Sequence, residues 1–258
     1  MAEWQRISES INTLASFCGV RDIPELTRVE LQKRYGFAQA DVMVLFGGSI
    51  ICGGDVLATA MRESIAKKYV IVGGEGHTTQ ALRDKAREAF PQIETVGQPE
   101  ARVFNAYLQE KYRLAADYLE CESTNCGNII TNLLALLERK RVFCRSAILC
   151  QDATMQRRMA AGLEKYAPNI EIIQYAAYSA QVIPTENGLA FSEKIPGMWE
   201  LERYVSMLLG EIPRLTDSKT GYGPKGRGFI AHVDIPKKSS SGFHGIVTSF
   251  PTVYTGGK

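Results

Sequence analysis

The chain has 258 residues, 45% of them hydrophobic and 22% charged, enough to bury one large core or a core with a cap. Its 30 basic and 28 acidic residues leave a net charge of +2, so no charge excess demands a nucleic acid or an anionic membrane as partner. The longest apolar stretch, roughly residues 42–52, is broken by glycines and falls short of the about 20 residues that a bilayer span takes.

Taken in order, residues 3–18 carry Trp4, Ile7, Ile11, Leu14 and Ala15 at helical spacing. Pro24 opens a second expected helix and Gly36 suits its end. An alternation of strands and helices then begins. Strand 41–46 precedes helix 55–67, strand 69–72 and helix 78–89. Helix 100–112, a short strand near 117–120 and helix 127–140 follow. Strand 146–151, helix 154–166 and strand 170–174 complete the set. Short apolar strands separated by helices of about 10–15 residues predict a parallel sheet with crossover helices. The fold class is therefore α/β, a Rossmann-like, doubly wound and mainly parallel sheet with a smaller, largely helical second lobe. The expected division is a core over 38–178, with 1–37 and 179–258 packed beside it as a cap. After Tyr178 the rhythm stops. IPTENG reads as a turn, PGMWELERYVSMLLGEIPRL as one amphipathic helix, and the polar tail KKSSSGFHG as mobile.

Six cysteines, at 18, 52, 121, 126, 144 and 150, form no CxxC pair, which argues against a zinc site. Three of them sit in or beside apolar runs, as reduced buried cysteines do, and Cys121 and Cys126 are expected to stay unbridged. The start, MAEWQRISES, lacks a basic n-region and an apolar h-region, which predicts no signal peptide and a cytoplasmic location.

The strand ends carry the functional signal. DVMVLFGGS ends in Gly47, Gly48 and Ser49, and YVIVGGEGHTT places Gly73, Gly74 and His77 in a second turn. Glycine at a strand's carboxyl end lets backbone N–H groups approach a ligand, and ligands of open α/β sheets sit at that edge. Both turns also read as plain tight connections. A dinucleotide fingerprint is not met: GxGxxG is missing after the first strand, and no acidic residue closes the second. His77 has the chemistry of a phosphate donor, an acid or base, or a stacking partner for adenine. Glu100 opens a helix, where the dipole alone favours a carboxylate, and it is also placed to hold a ligand amine or hydroxyl. Ser123, Thr124 and Asn125 lie between a strand end and a helix and suit either capping or binding. Gln151, Asp152 and Thr154 follow the fourth strand. Asp152 suits a cap on the helix carrying Arg157 and Arg158. Arg157 is assigned as a clamp on a carboxylate or phosphate, and Arg158 to a solvated basic face. GxSxG, HExxH and the P-loop pattern are missing. In the last part, TGYGPKGRGFIAHVDIP combines four glycines with Tyr222, Phe229, Ile230 and Val233. It reads either as a contributor to the ligand cleft, with Lys225 and Arg227 on a lid, or as an ordinary surface loop.

Together the GG after the first strand, GGEGHTT, ESTNCG, QDATMQRR and WELERYVSMLLGEIPRLTDSKTGYGPKGRGFIAHVDIP resemble the YdcF-like proteins, over roughly residues 40–236. That branch belongs to a broad bacterial family of unknown function that also holds the SanA-like envelope proteins. The resemblance implies a Rossmann-like core, a second lobe with a cleft between them, and binding of S-adenosylmethionine. The contacts it implies are Gly47, Gly48, Gly74, His77, Glu100, Ser123, Thr124, Asn125, Gln151, Asp152 and Arg157. The wider family often has a histidine where this chain reads Thr154-Met155-Gln156-Arg157-Arg158, and Glu-Asn where it reads Asn128-Ile129. Those departures favour binding over chemistry. The expected partner is a small molecule, with no nucleic acid and no membrane. The alternatives are a hydrolase or transferase acting on a phosphorylated small molecule, with His77 as acid or base, and a protein-interaction module.

Overall fold

The computed structural model describes residues 2–48 and 50–249. Five strands form one sheet: β1 (Ala40–Phe46), β2 (Ala66–Val72), β3 (Tyr118–Glu120), β4 (Ser146–Cys150) and β5 (Glu171–Gln174). Their spatial order is β3-β2-β1-β4-β5 and every pairing is parallel. The chain winds outward from β1 to β3, then returns to the other side of β1 to add β4 and β5. The direction therefore reverses between β1 and β4, which is the switch point where such sheets open a crevice.

Period-two alternation sorts the side chains of β1 onto two buried faces. Met43 and Leu45 join a cluster with α3 (Cys52–Arg62), α4 (Thr79–Ala89) and α5 (Glu100–Tyr112). Val42, Val44 and Phe46 face α6 (Ile129–Arg139) and α7 (Gln156–Tyr166) through Leu133, Leu137, Met159 and Leu163. Both faces are covered, so the strands read as continuous apolar runs. The sheet is the Rossmann-like, doubly wound one that the strand–helix rhythm predicts.

Outside the sheet, α1 (Ala2–Cys18) packs against α8 (Leu201–Leu215), α9 (Lys237–Ser249) and the hairpin of β6 (Val182–Thr185) and β7 (Gly188–Phe191). Apolar residues of α1 and α8, Leu14 and Leu208 among them, belong to the same cluster as Met43 and Leu45.

Four local expectations need correction. The helix expected from Pro24 is α2 (Arg28–Tyr35), because the Thr27 hydroxyl accepts the backbone N–H of Glu30 and fixes the start there. Gly36 does close it, in the left-handed conformation at φ 79°. The helix expected over 55–67 runs from Cys52 to Arg62, and Ser64 at φ 53° turns the chain into β2, which begins at Ala66. IPTENG is only in part a turn: Ile183, Pro184 and Thr185 belong to β6 and Gly188 to β7, and Glu186 and Asn187 alone connect them. KKSSSGFHG, expected as a mobile tail, forms the first two turns of α9, where Ser239, Gly242 and Ile246 are buried. Small residues allow that close helix packing, a signal that polarity alone conceals.

Among the described residues, no helix is long and apolar enough to cross a membrane.

Candidate functional site

The carboxyl ends of β1, β2, β3 and β4 meet in a cavity of about 430 Å³, closed on its far side by α8 and Tyr222. Its floor is built from the two glycine turns. The N–H of Gly47 bonds the Val72 carbonyl at 2.6 Å, and that of Gly73 bonds the Glu120 carbonyl at 2.9 Å. Both bonds extend the sheet's ladder by one residue.

Glu100 sits directly on these glycines. A Cβ at Gly47 would meet Glu100 Oε2 at 2.2 Å, and one at Gly73 would meet Glu100 Cβ at 3.0 Å. The glycines thus make room for a carboxyl group of the protein itself. The start of α5 is held by Glu100 N–H to the Gly74 carbonyl and Ala101 N–H to that of Gly73. Glu100 is 8% exposed and lines the cavity. Its Oε1 accepts the Thr79 hydroxyl at 2.8 Å, and that hydroxyl accepts the Gly76 N–H at 2.7 Å. Burial raises the Glu100 pKa, against the opposing pull of Thr79 and of the Arg83 charge.

The other expected residues divide by what holds them. Gly74 lines the cavity, but a Cβ there would strike the Ser123 carbonyl at 2.1 Å, so its smallness serves loop packing. Ser123 is buried and its hydroxyl accepts the Gly74 N–H at 3.1 Å. Asn125 Oδ1 accepts the N–H groups of Gly127 and Asn128, and Asn128 Oδ1 accepts those of Thr124 and Asn125. These turns shape the entry to α6 while Ser123, Thr124 and Asn125 line the cavity. Gln151 ties the switch point together: its Nε2 donates to the Gly47 carbonyl at 3.0 Å and its Oε1 accepts the Asp152 N–H at 2.7 Å. His77 is exposed on the cavity rim. Gly48 borders Gln151 without lining the cavity. Ser49 lies outside the described residues.

Asp152 and Arg157 are turned elsewhere. Asp152 is buried, with Oδ1 accepting the Thr154 N–H at 2.9 Å, the Thr154 hydroxyl at 2.8 Å and the Tyr178 hydroxyl at 2.7 Å. Its Oδ2 accepts the Trp199 indole N–H at 3.3 Å. All of these are internal bonds at the approach to α7. Arg157 donates to the Phe17 carbonyl and lies 4.3 Å over the Phe17 ring, on the α1 side of α7.

The arginine that faces the cavity is Arg158, which is not on a solvated face: it is 7% exposed. Its Nε lies 2.8 Å from Glu211 Oε2, in charge contact without an aligned hydrogen bond. Arg214 approaches the other oxygen of Glu211 at 3.7 Å. Burial pushes the Glu211 carboxyl upward, and Arg158 and Arg214 pull it back. The Glu211 charge in turn holds Arg158 in its cationic form.

Sequence reading missed the α8 wall. Arg203, Met207, Glu211 and Arg214 all line the cavity. Their spacing of four, four and three residues is one helical face, a pattern legible in the sequence but without a reason to aim it at the strand edge. Thr79, second threonine of GGEGHTT, was missed as the partner of Glu100.

The segment from Thr220 to Pro236 reaches the cavity through Tyr222 alone. Its glycines allow a tight loop in which Arg227 N–H bonds the Gly221 carbonyl, Gly228 N–H that of Gly223 and Phe229 N–H that of Tyr222. Lys225 and Arg227 do not line the cavity, so they form no lid over it.

A larger depression of about 760 Å³ lies between Ile51, α4, α5 and residues 191–198, away from the strand ends. The switch-point cavity is the better candidate, because the sheet's converging strand ends meet there with three buried charged side chains, Glu100, Arg158 and Glu211. Among the described residues, no group of three or more His, Cys, Asp and Glu is arranged to hold a metal ion. No protein-family model matches the chain.

Proposed function

We propose that the switch-point cavity binds S-adenosylmethionine or a related adenosine ligand. The observation that carries this reading is the separation of opposite charges across one cavity. Glu100 stands on the sheet-edge floor, while Arg203 and Arg214 stand on the α8 wall, where Arg158 offsets the charge of Glu211. A zwitterionic ligand with a cationic and an anionic group complements such a site. The ammonium and sulfonium groups suit Glu100, and the ligand carboxylate suits the α8 arginines. Met155, Met159, Met207 and Tyr222 offer an apolar wall for adenine. The cavity of about 430 Å³ falls within the range of roughly 300–1,000 Å³ usual for small-molecule sites. S-adenosylmethionine, when bound, supplies an electrophilic methyl group; the residues here bind and orient it. The free thiols among the described residues fit a cytoplasmic setting.

One observation favours a second reading. His77 shares the cavity with Arg203 and Arg214, the combination that a phosphate ester needs for acid–base help and charge neutralisation. A thermal-shift panel separates the two. S-adenosylmethionine or S-adenosylhomocysteine raising Tm supports the first reading. A rise with sugar phosphates alone supports the second, and a flat response to every compound contradicts both.

A further inference from the structure

A second cavity, of about 290 Å³, lies on the opposite side of the Gln151–Thr154 turn from the first. Ala153 of that turn faces it, whereas Gln151 and Thr154 face the switch-point cavity. Two guanidinium groups line it, Arg21 and Arg157. Neither forms an ion pair with a carboxylate among the described residues. Arg21 spends its Nε on the Ala176 carbonyl at 2.9 Å and stacks 4.4 Å over Tyr175. Arg157 spends its Nε on the Phe17 carbonyl and stacks on the Phe17 ring. Both side chains are thus held in place by their Nε atoms and by a ring. That leaves the terminal N–H groups of both arginines beyond ion-pair distance of any carboxylate among the described residues, with the Asp22 charge acting on half-buried Arg157 from farther off.

A third group points to a ligand independently. Tyr204 lines the same cavity and is fully buried, and its hydroxyl has no hydrogen-bond partner. Leaving a buried hydroxyl unsatisfied costs about 1–3 kcal/mol, so a native structure that keeps one usually offers it to something. Ser16 and Ser179 line the cavity as well.

We propose that this cavity is an anion-binding site that takes a phosphate group, distinct from the switch-point cavity. Two cations and two hydroxyls, those of Ser179 and Tyr204, approach from the turn after α1, α7, the segment after β5 and α8, while the Ser16 hydroxyl is spent on the Asn12 carbonyl. A tetrahedral oxyanion accepts donors from several directions at once, whereas a planar carboxylate is best met by a single fork. The occupant is either free phosphate or the phosphate of a small phosphomonoester.

Isothermal titration of the full chain with inorganic phosphate, and separately with glycerol phosphate, tests this. The expected result is saturable binding of one equivalent of at least one of them, weakened about tenfold or more in Arg157→Gln and in Arg21→Gln. Binding by glycerol phosphate alone identifies the esterified source, and comparable binding of both the free ion. Arg203→Gln, on the α8 wall, leaves the affinity unchanged. If Arg157→Gln fails to fold by circular dichroism, Tyr204→Phe carries the test and weakens binding severalfold. Absence of saturable binding of either compound overturns the proposal. So does a loss that follows Arg203→Gln and spares Arg21→Gln, which assigns the anion to the first cavity.

Discussion

At the scale of single residues, Glu100 decides how the floor of the cavity is read. Glycine at a strand end is visible in the sequence, and so is an acidic residue opening a helix. That the first makes room for the second is not visible, because Gly47 and Glu100 lie 53 positions apart in the chain and only the fold joins them. The buried carboxyl has a consequence for stability. A folded-state pKa above the unfolded value of about 4.3 means that the folded chain holds the proton more tightly. Its contribution is complete below that pH and is lost as pH rises through the folded-state value. Glu100→Gln keeps an acceptor for Thr79 and removes this loss. We therefore expect Glu100→Gln to raise Tm at pH 7–8 and leave it unchanged near pH 4, read by thermal melts across that range. An unchanged Tm at both ends contradicts the buried-carboxyl account.

Gly74 makes a different prediction from the one its sequence context invites. Its neighbourhood is the Ser123 backbone, so Gly74→Val is expected to destabilise the fold rather than abolish binding in an intact protein. Calorimetry or chemical denaturation should show a loss of about 1–3 kcal/mol or more. A variant that melts like the wild type would return the glycine to the ligand.

At the scale of elements, the neighbouring pair Arg157 and Arg158 shows where sequence reading stops. Successive residues on a helix point about 100° apart, so the right residue type at the wrong phase faces a different neighbour. Nothing in QDATMQRR sets that phase. It is set by the burial of Met159 and Leu163 against the sheet, which aims Arg158 at Glu211 and Arg157 at Phe17. Glu211→Ala leaves a guanidinium buried without its carboxylate and should cost about 3–5 kcal/mol in a denaturant melt. The double change Glu211→Leu with Arg158→Met should cost much less, because no charge is then stranded. Equal costs would mean that the pair acts through packing alone. The strand–helix rhythm from β1 to β5 was legible because each strand is a short apolar run. The hairpin and α9 were not: IPTENG specifies a turn without a partner strand, and KKSSSGFHG hides its packing in small residues. Removing residues 237–258 exposes the face of α1 that α9 covers and should lower Tm by several degrees. An unchanged melt would make α9 an appendage.

At the scale of the molecule, a doubly wound sheet brings four strand ends to one place, and the α8 wall faces them across a cavity. The floor was legible in part, through Gly47, Gly73, Gly74, His77, Glu100 and Gln151. The wall was not, because which face of α8 meets the strand edge is a tertiary fact. The central claim is that an adenosine ligand spans that gap with its cation on Glu100. The most direct measurement is the dissociation constant of S-adenosylmethionine for the wild-type chain and for Glu100→Gln, by isothermal titration at pH 7.5. The account predicts saturable binding of one equivalent, weakened about tenfold or more when the carboxylate is replaced by its uncharged isostere. No saturable binding to the wild type, or equal affinity in the two chains, would contradict it.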